Sequence, residues 1–185
     1  MREHLFKAKR VDNGEWVEGR SLIQAQSGKK LIIPIGSVLC LCYCEATKEV
    51  MIQNTLLTEV DPNTVCEYTG RRINGIMAFE GDRIGFYYLI PQDDGTDLKV
   101  QSGIAEIIWN DEYSLYDLKW VVGNQTKVID ECDISADEDY DYPFGYFLEY
   151  FDNSHDIFNG YEIIGNIFDN PELLGSEAHN DTAQT

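Results

Sequence analysis

Apolar residues along this chain come in short runs punctuated by glycine, asparagine, aspartate and proline, a rhythm that predicts strands and tight turns. Leu5, Phe6 and Ala8 alternate weakly towards Asp12-Asn13-Gly14, a two-residue turn signal. Trp16-Val17 and Leu22-Ile23 then read as the return strand of a hairpin. Residues 27–30 form a turn, and Leu31-Ile32-Ile33-Pro34-Ile35 a short strand ended by proline. Residues 38–44 and 50–53 flank a polar 46–49 and predict a second hairpin. Asp61 before Pro62 has the form of an N-cap with proline at the first helical position, and Gly70 limits that segment to one helical turn.

Further on, Asn74-Gly75 is another hairpin turn, and Gly81-Asp82 opens a strand at 83–90. Pro91 to Lys99 reads as a polar loop with Asp93-Asp94-Gly95 at its tip. Strands follow over Val100–Asn110 and Tyr113–Val122, with turns at residues 110–112 and at Gly123-Asn124. Phe144, Phe147, Leu148, Phe151, His155 and Phe158 have helical spacing, so 145–158 is the one longer helix predicted. Tyr161–Phe168 is a strand, within which Gly165-Asn166 marks a bulge or a close backbone approach. Short strands at this spacing predict a mainly β, β-rich α+β fold, as an open sheet or barrel.

Several of these signals coincide with a known pattern. Phe6-Lys7-Ala8, Tyr68-Thr69-Gly70, Asn74-Gly75, Phe79-Glu80-Gly81-Asp82-Arg83-Ile84 and the closing Ile164 to Leu174 occur in that order. In this the chain resembles the YopX family of phage and prophage proteins. The resemblance implies an N-terminal β-hairpin region over 1–60 and an SH3-like small barrel over 61–175. Residues 128–160 depart from the pattern as an acidic, aromatic insertion, and 176–185 read as a disordered tail. The resemblance also implies homo-oligomers and a phage or prophage setting, but no particular activity.

Charge sharpens the picture. Net charge is −19, and after Lys127 there is neither lysine nor arginine, while fifteen carboxylates fall in 128–185. That third offers nothing to neutralise a phosphate backbone, so it reads as a solubilising acidic face. The start, Met1-Arg2-Glu3-His4-Leu5-Phe6-Lys7, is charged and no apolar run is long enough to span a bilayer; both predict a cytoplasmic protein with no membrane partner, and the resemblance makes the setting a bacterial host cell.

Candidate chemistry is sparse. Cys40, Cys42 and Cys44 alternate within an apolar run, which favours core packing on a strand over a metal site, since no second ligand pair exists. With Cys66 and Cys132 they make an odd set, consistent with reduced thiols. Asp137, Asp139 and Asp141 alternate like calcium ligands, but Tyr142 and Leu148 occupy the places where an EF-hand needs glycine and glutamate. His4, His155 and His179 have no local nucleophile signature, and Gly70, Gly75 and Gly81 build hairpins and not a phosphate loop. The expectation is therefore a non-enzymatic, self-assembling protein-interaction module, without catalytic, cofactor or metal residues, that contacts a host or phage protein. One alternative is a nucleic-acid mimic whose charged face runs from Asp130 to Asp156. Another is a nucleic-acid-binding barrel using Arg71, Arg72 and Arg83 with Tyr87, Tyr88, Trp109, Tyr113, Tyr116 and Trp120. The overall acidity makes nucleic acid an improbable partner.

Overall fold

The computed structural model describes residues 4–37, 40–44, 49–53, 57–93, 95–134, 142–153 and 159–171, with backbone alone for 40–44, 49–53, 153 and 159. The chain is mainly β and divides into two compact units, Met1–Gly70 and Arg71–Thr185.

In the first unit β1 (Phe6–Lys9) and β2 (Trp16–Gln24) form the predicted hairpin, with Ala8 opposite Val17. Its loop is wider than expected. Arg10 N donates to Glu15 O, and only Gly14 takes a positive φ, because the Asn13 side chain accepts from the Glu15 amide. β3 (Lys30–Pro34) and β6 (Thr58–Val60) extend the sheet, and β7 (Cys66–Ile73) pairs with β1 on the other side. Ala8, Ile32 and Val60 make the buried centre, joined by Phe6, Val17, Leu22 and Val65. On the opposite face Lys7 and Lys9 stack over Trp16, at 5.0 and 5.5 Å from its ring. β2 bulges at Gly19, where a Cβ would lie 2.1 Å from the Ile33 carbonyl oxygen. The second predicted hairpin forms as β4 (Cys40–Cys44) and β5 (Glu49–Gln53), antiparallel. Pro62–Thr64 is the single expected helical turn, with the Asp61 side chain accepting from the Asn63 amide.

In the second unit the end of β7 turns at Asn74-Gly75 into β8 (Ile76–Phe79); both turn residues have positive φ, the twist a two-residue hairpin requires. β9 (Asp82–Pro91), β10 (Asp97–Asn110), β11 (Leu115–Val122) and β12 (Asn159–Asn166) form an antiparallel sheet in the order β11-β10-β9-β12. Among the described residues this order is open, with β11 and β12 as its edges. The polar loop expected over 91–99 contracts to residues 92–96, since Asp97 pairs with Pro91. The polar start of β10 is held by Lys99, which stacks 3.9 Å over the Tyr87 ring and pairs with Glu162. Tyr113 belongs to a turn and not to β11, because the Asn110 side chain accepts from the Glu112 and Tyr113 amides and Ser114 takes φ 53°.

Two helices cover one face of this sheet. The expected one, α2 (Phe144–Asn153), buries Phe144, Phe147, Leu148 and Phe151, the i, i+3, i+4, i+7 stripe. The other, α1 (Gln125–Glu131), was not expected. Asn124 caps it, accepting from the Lys127 amide, and Val128, Ile129 and Cys132 turn inward. The Phe86 ring lies 5.3–5.5 Å from Phe147, Phe151 and Trp120, at the centre of the unit's core.

Candidate functional site

Two of the segments that carry the family resemblance, Phe79–Ile84 and the described part of the closing segment, meet at one corner of the second unit. Gly165 pairs with Arg83, and Asn166 with Asp82, beside the expected bulge. Gly81, at φ 79°, donates to Ile107 O at 2.8 Å and accepts from Ile167 N at 3.0 Å. Asp82 reaches back to accept from the Phe79 amide at 2.8 Å, closing the turn that enters β9. Asn166 accepts from the Phe168 and Asp169 amides, both at 2.9 Å, and so shapes the turn after β12. A Cβ at Gly165 would sit 2.3 Å from Asn170 Oδ1, so glycine is required by close approach. This junction is built from backbone geometry, as the glycine pattern predicts.

The three arginines of the nucleic-acid alternative do not share a surface. Arg83 is 0% exposed, with Nη1 donating to the Asn170 carbonyl. Arg71 lies 2.8 Å from Glu149 and 3.7 Å from Asp152 on α2, which neutralise it. Arg72 is exposed and donates to Gly75 O at 2.9 Å. Asp152 also accepts from the Tyr161 hydroxyl at 2.6 Å. Burial, and then that bond to a carboxylate, push the Tyr161 phenol above its ordinary range, while Arg71 opposes the shift.

The aromatics divide similarly. Tyr116 is buried, and Trp120 and Tyr88 pack against the core. Tyr87 lies under Lys99. Trp109 and Tyr113 remain outside, 37% and 65% exposed, at the tip of the β10–β11 hairpin. The tip has a fixed shape. Trp109 stands edge-on to Tyr116 at 5.0 Å, and its indole N–H donates to Asp111 at 3.0 Å. Asp117 accepts from Asn110 Nδ2 and from the Leu118 amide, an amide of the edge strand. An exposed tryptophan and tyrosine held on a rigid hairpin are the residue types that dominate protein–protein binding energies.

Of the acidic face, Asp130, Glu131 and Asp133 are exposed around α1, and Glu149 and Asp152 are exposed on α2. Asp137, Asp139 and Asp141, the calcium candidates, and His155, Asp156 and His179 lie outside the described residues, as do the side chains of Cys40, Cys42 and Cys44. Cys66 and Cys132 are buried. Their sulfurs face the Thr64 and Tyr87 carbonyls at 3.4 and 3.6 Å. Gln125, missed in the sequence, is buried and holds the Tyr142 amide at 3.0 Å; its only signal is its place beside the Asn124 cap. In the first unit a cleft of about 700 Å³ is lined by Val11, Val17, Ile35 and Leu57, with the Arg10–Asp12 ion pair (2.6 Å) beside them. The Arg10 guanidinium holds the Asp12 carboxyl below its usual range. No helix among the described residues is long and apolar enough to cross a membrane.

Comparison of the chain with protein-family models and with curated proteins gives no match.

Proposed function

We propose that this chain is a YopX-like phage or prophage protein that works as a non-enzymatic interaction module in the cytoplasm of a bacterial host, assembling with copies of itself and contacting a host or phage protein. The observation that carries the reading is the hairpin tip. Trp109 and Tyr113 stand in solvent in a unit that buries Phe86, Phe144, Phe147 and Phe151. Large rings left outside a well-filled core mark a surface that gains by being covered. Light scattering over a concentration series is the test. The intact chain should exceed its monomer mass of 21.1 kDa, and Trp109→Ala with Tyr113→Ala should return it to that mass without unfolding it. A wild-type mass of one chain at every concentration would end the self-assembly reading.

A second reading is favoured by α1. Its inner side is apolar, while Asp130, Glu131 and Asp133 face outward without a basic residue after Lys127. Such a face would compete with DNA for a basic protein and lose affinity with salt. A pull-down from host lysate that enriches no DNA-binding protein would remove it.

A further inference from the structure

We propose that Arg83 is the centre of a buried oxyanion site, under the turn that follows β12, which takes a small carboxylate or phosphate. Arg83 is fully buried, yet its Nε and Nη2 have no acceptor. These two nitrogens form the side edge of the guanidinium, the pair of near-parallel N–H groups that matches two oxygens of one carboxylate or phosphate. The third nitrogen is committed: Nη1 donates to the Asn170 carbonyl, which fixes how the fork is turned.

Among the described residues no carboxylate fills this role. Glu106 stands opposite Arg83 in the β9–β10 register and is 9% exposed, but the fork nitrogens remain without an acceptor. Asp82, next in sequence, accepts from the Phe79 amide. A buried cation with two unsatisfied donors is strongly disfavoured, so an anion that reaches it relieves that penalty, offset by its own desolvation and by the opening of the turn. The cover is short. Residues 167–170 are held by the Ile167 amide on Gly81 O and the Asn170 amide on Asn166 O, both at 3.0 Å, by the Phe168 and Asp169 amides on the Asn166 side chain, by Asn166 Nδ2 on Asp169, and by the Arg83 contact itself. An anion reaches the guanidinium only if this turn moves, which breaks the Ile167–Gly81 and Asn170–Arg83 bonds.

The probes are inorganic phosphate and acetate, each against sodium chloride at equal ionic strength, added to the full chain. Thermal unfolding should show a saturable rise in midpoint with one or both oxyanions beyond that given by chloride. The Arg83 Nε–H resonance of the wild-type protein should shift over the same concentrations, a readout that needs no variant to fold. Arg83→Lys keeps the charge and loses the fork, and its affinity should fall by about tenfold or more. Phosphate and acetate responding differently would identify which oxyanion the site prefers. An unchanged resonance, or an equal response in Arg83→Lys, would overturn the proposal and leave surface binding only. So would an Nε–H resonance already typical of an ion pair that reverts in Glu106→Gln, since Glu106 would then be the acceptor.

Discussion

Phe147→Ala probes the closure of the second unit. Phe147 is 0% exposed, and its ring lies 5.5 Å from Phe86 and 5.8 Å from both Trp120 and Phe151, edge-on in each case. Truncating such a side chain removes its transfer energy and leaves a cavity, a loss of about 3–5 kcal/mol. Each ring pair contributes about 0.5–1.5 kcal/mol beyond area alone, and though the three overlap they place the variant in the upper part of that range. Against a total of about 5–15 kcal/mol for a domain, the second unit becomes marginal. Tyr146, the preceding residue, is 64% exposed, so Tyr146→Ala should stay within about 0.5 kcal/mol of wild type. Urea unfolding followed by circular dichroism measures both. Equal losses in the two variants, or a loss under about 1 kcal/mol for Phe147→Ala, would refute the assignment of the inner face of α2.

Two further expectations concern the same unit. Asn74 takes φ 51° and its Nδ2 donates to Tyr161 O at 3.2 Å; Asn74→Ala should lose about 1–2 kcal/mol of backbone preference as well as that bond. Asn74→Gly should lose the bond alone, about 0.5–1.5 kcal/mol, so equal urea midpoints for the two variants would contradict the turn geometry. The raised phenol of Tyr161 stabilises the fold fully below an unfolded tyrosine pKa of about 10, and this stabilisation is lost as pH rises above it. An ultraviolet titration should show a late-ionising tyrosine that Tyr161→Phe removes; an unchanged late step in that variant would assign the shift elsewhere.

What the sequence could and could not disclose follows from the range of the interactions involved. Most strands, the glycine entry into β9 and the apolar stripe of α2 depend on neighbours a few residues away and were legible, whereas β6 and the run of β7 through Gly70 were not. The same dipeptide nevertheless gave two turns. Asn74-Gly75 is a tight turn with both φ values positive, whereas at Asn13-Gly14 the Asn13 side chain engages Glu15 and only the glycine is left-handed. Local competition by one side chain decides between them. α1 was hidden for a comparable reason. Its cap, Asn124, is present, but Lys127 stands where a capping-box glutamate would be, and Asp130 and Glu131 oppose the dipole at its C-terminal end. Burial of Val128, Ile129 and Cys132 outweighs both, and that burial exists only once β9 and β10 are in place.

Arg83 marks the limit of local reading. In Asp82-Arg83-Ile84-Gly85-Phe86 the alternation assigns Ile84 and Phe86 to the core and Arg83 to solvent, where the nucleic-acid-binding alternative needs it. The first half of that inference holds, since Ile84 and Phe86 are both 0% exposed. The second fails because the other face of the sheet is covered by a turn 87 residues away, whose Asn170 carbonyl takes the guanidinium. Alternation tells which side of a sheet a residue occupies but not whether that side meets water. Among the described residues this fork-shaped cation finds one acceptor, the Asn170 carbonyl, so its burial does not follow from packing alone. The unsatisfied edge of this guanidinium is the observation on which the proposed anion site stands or falls.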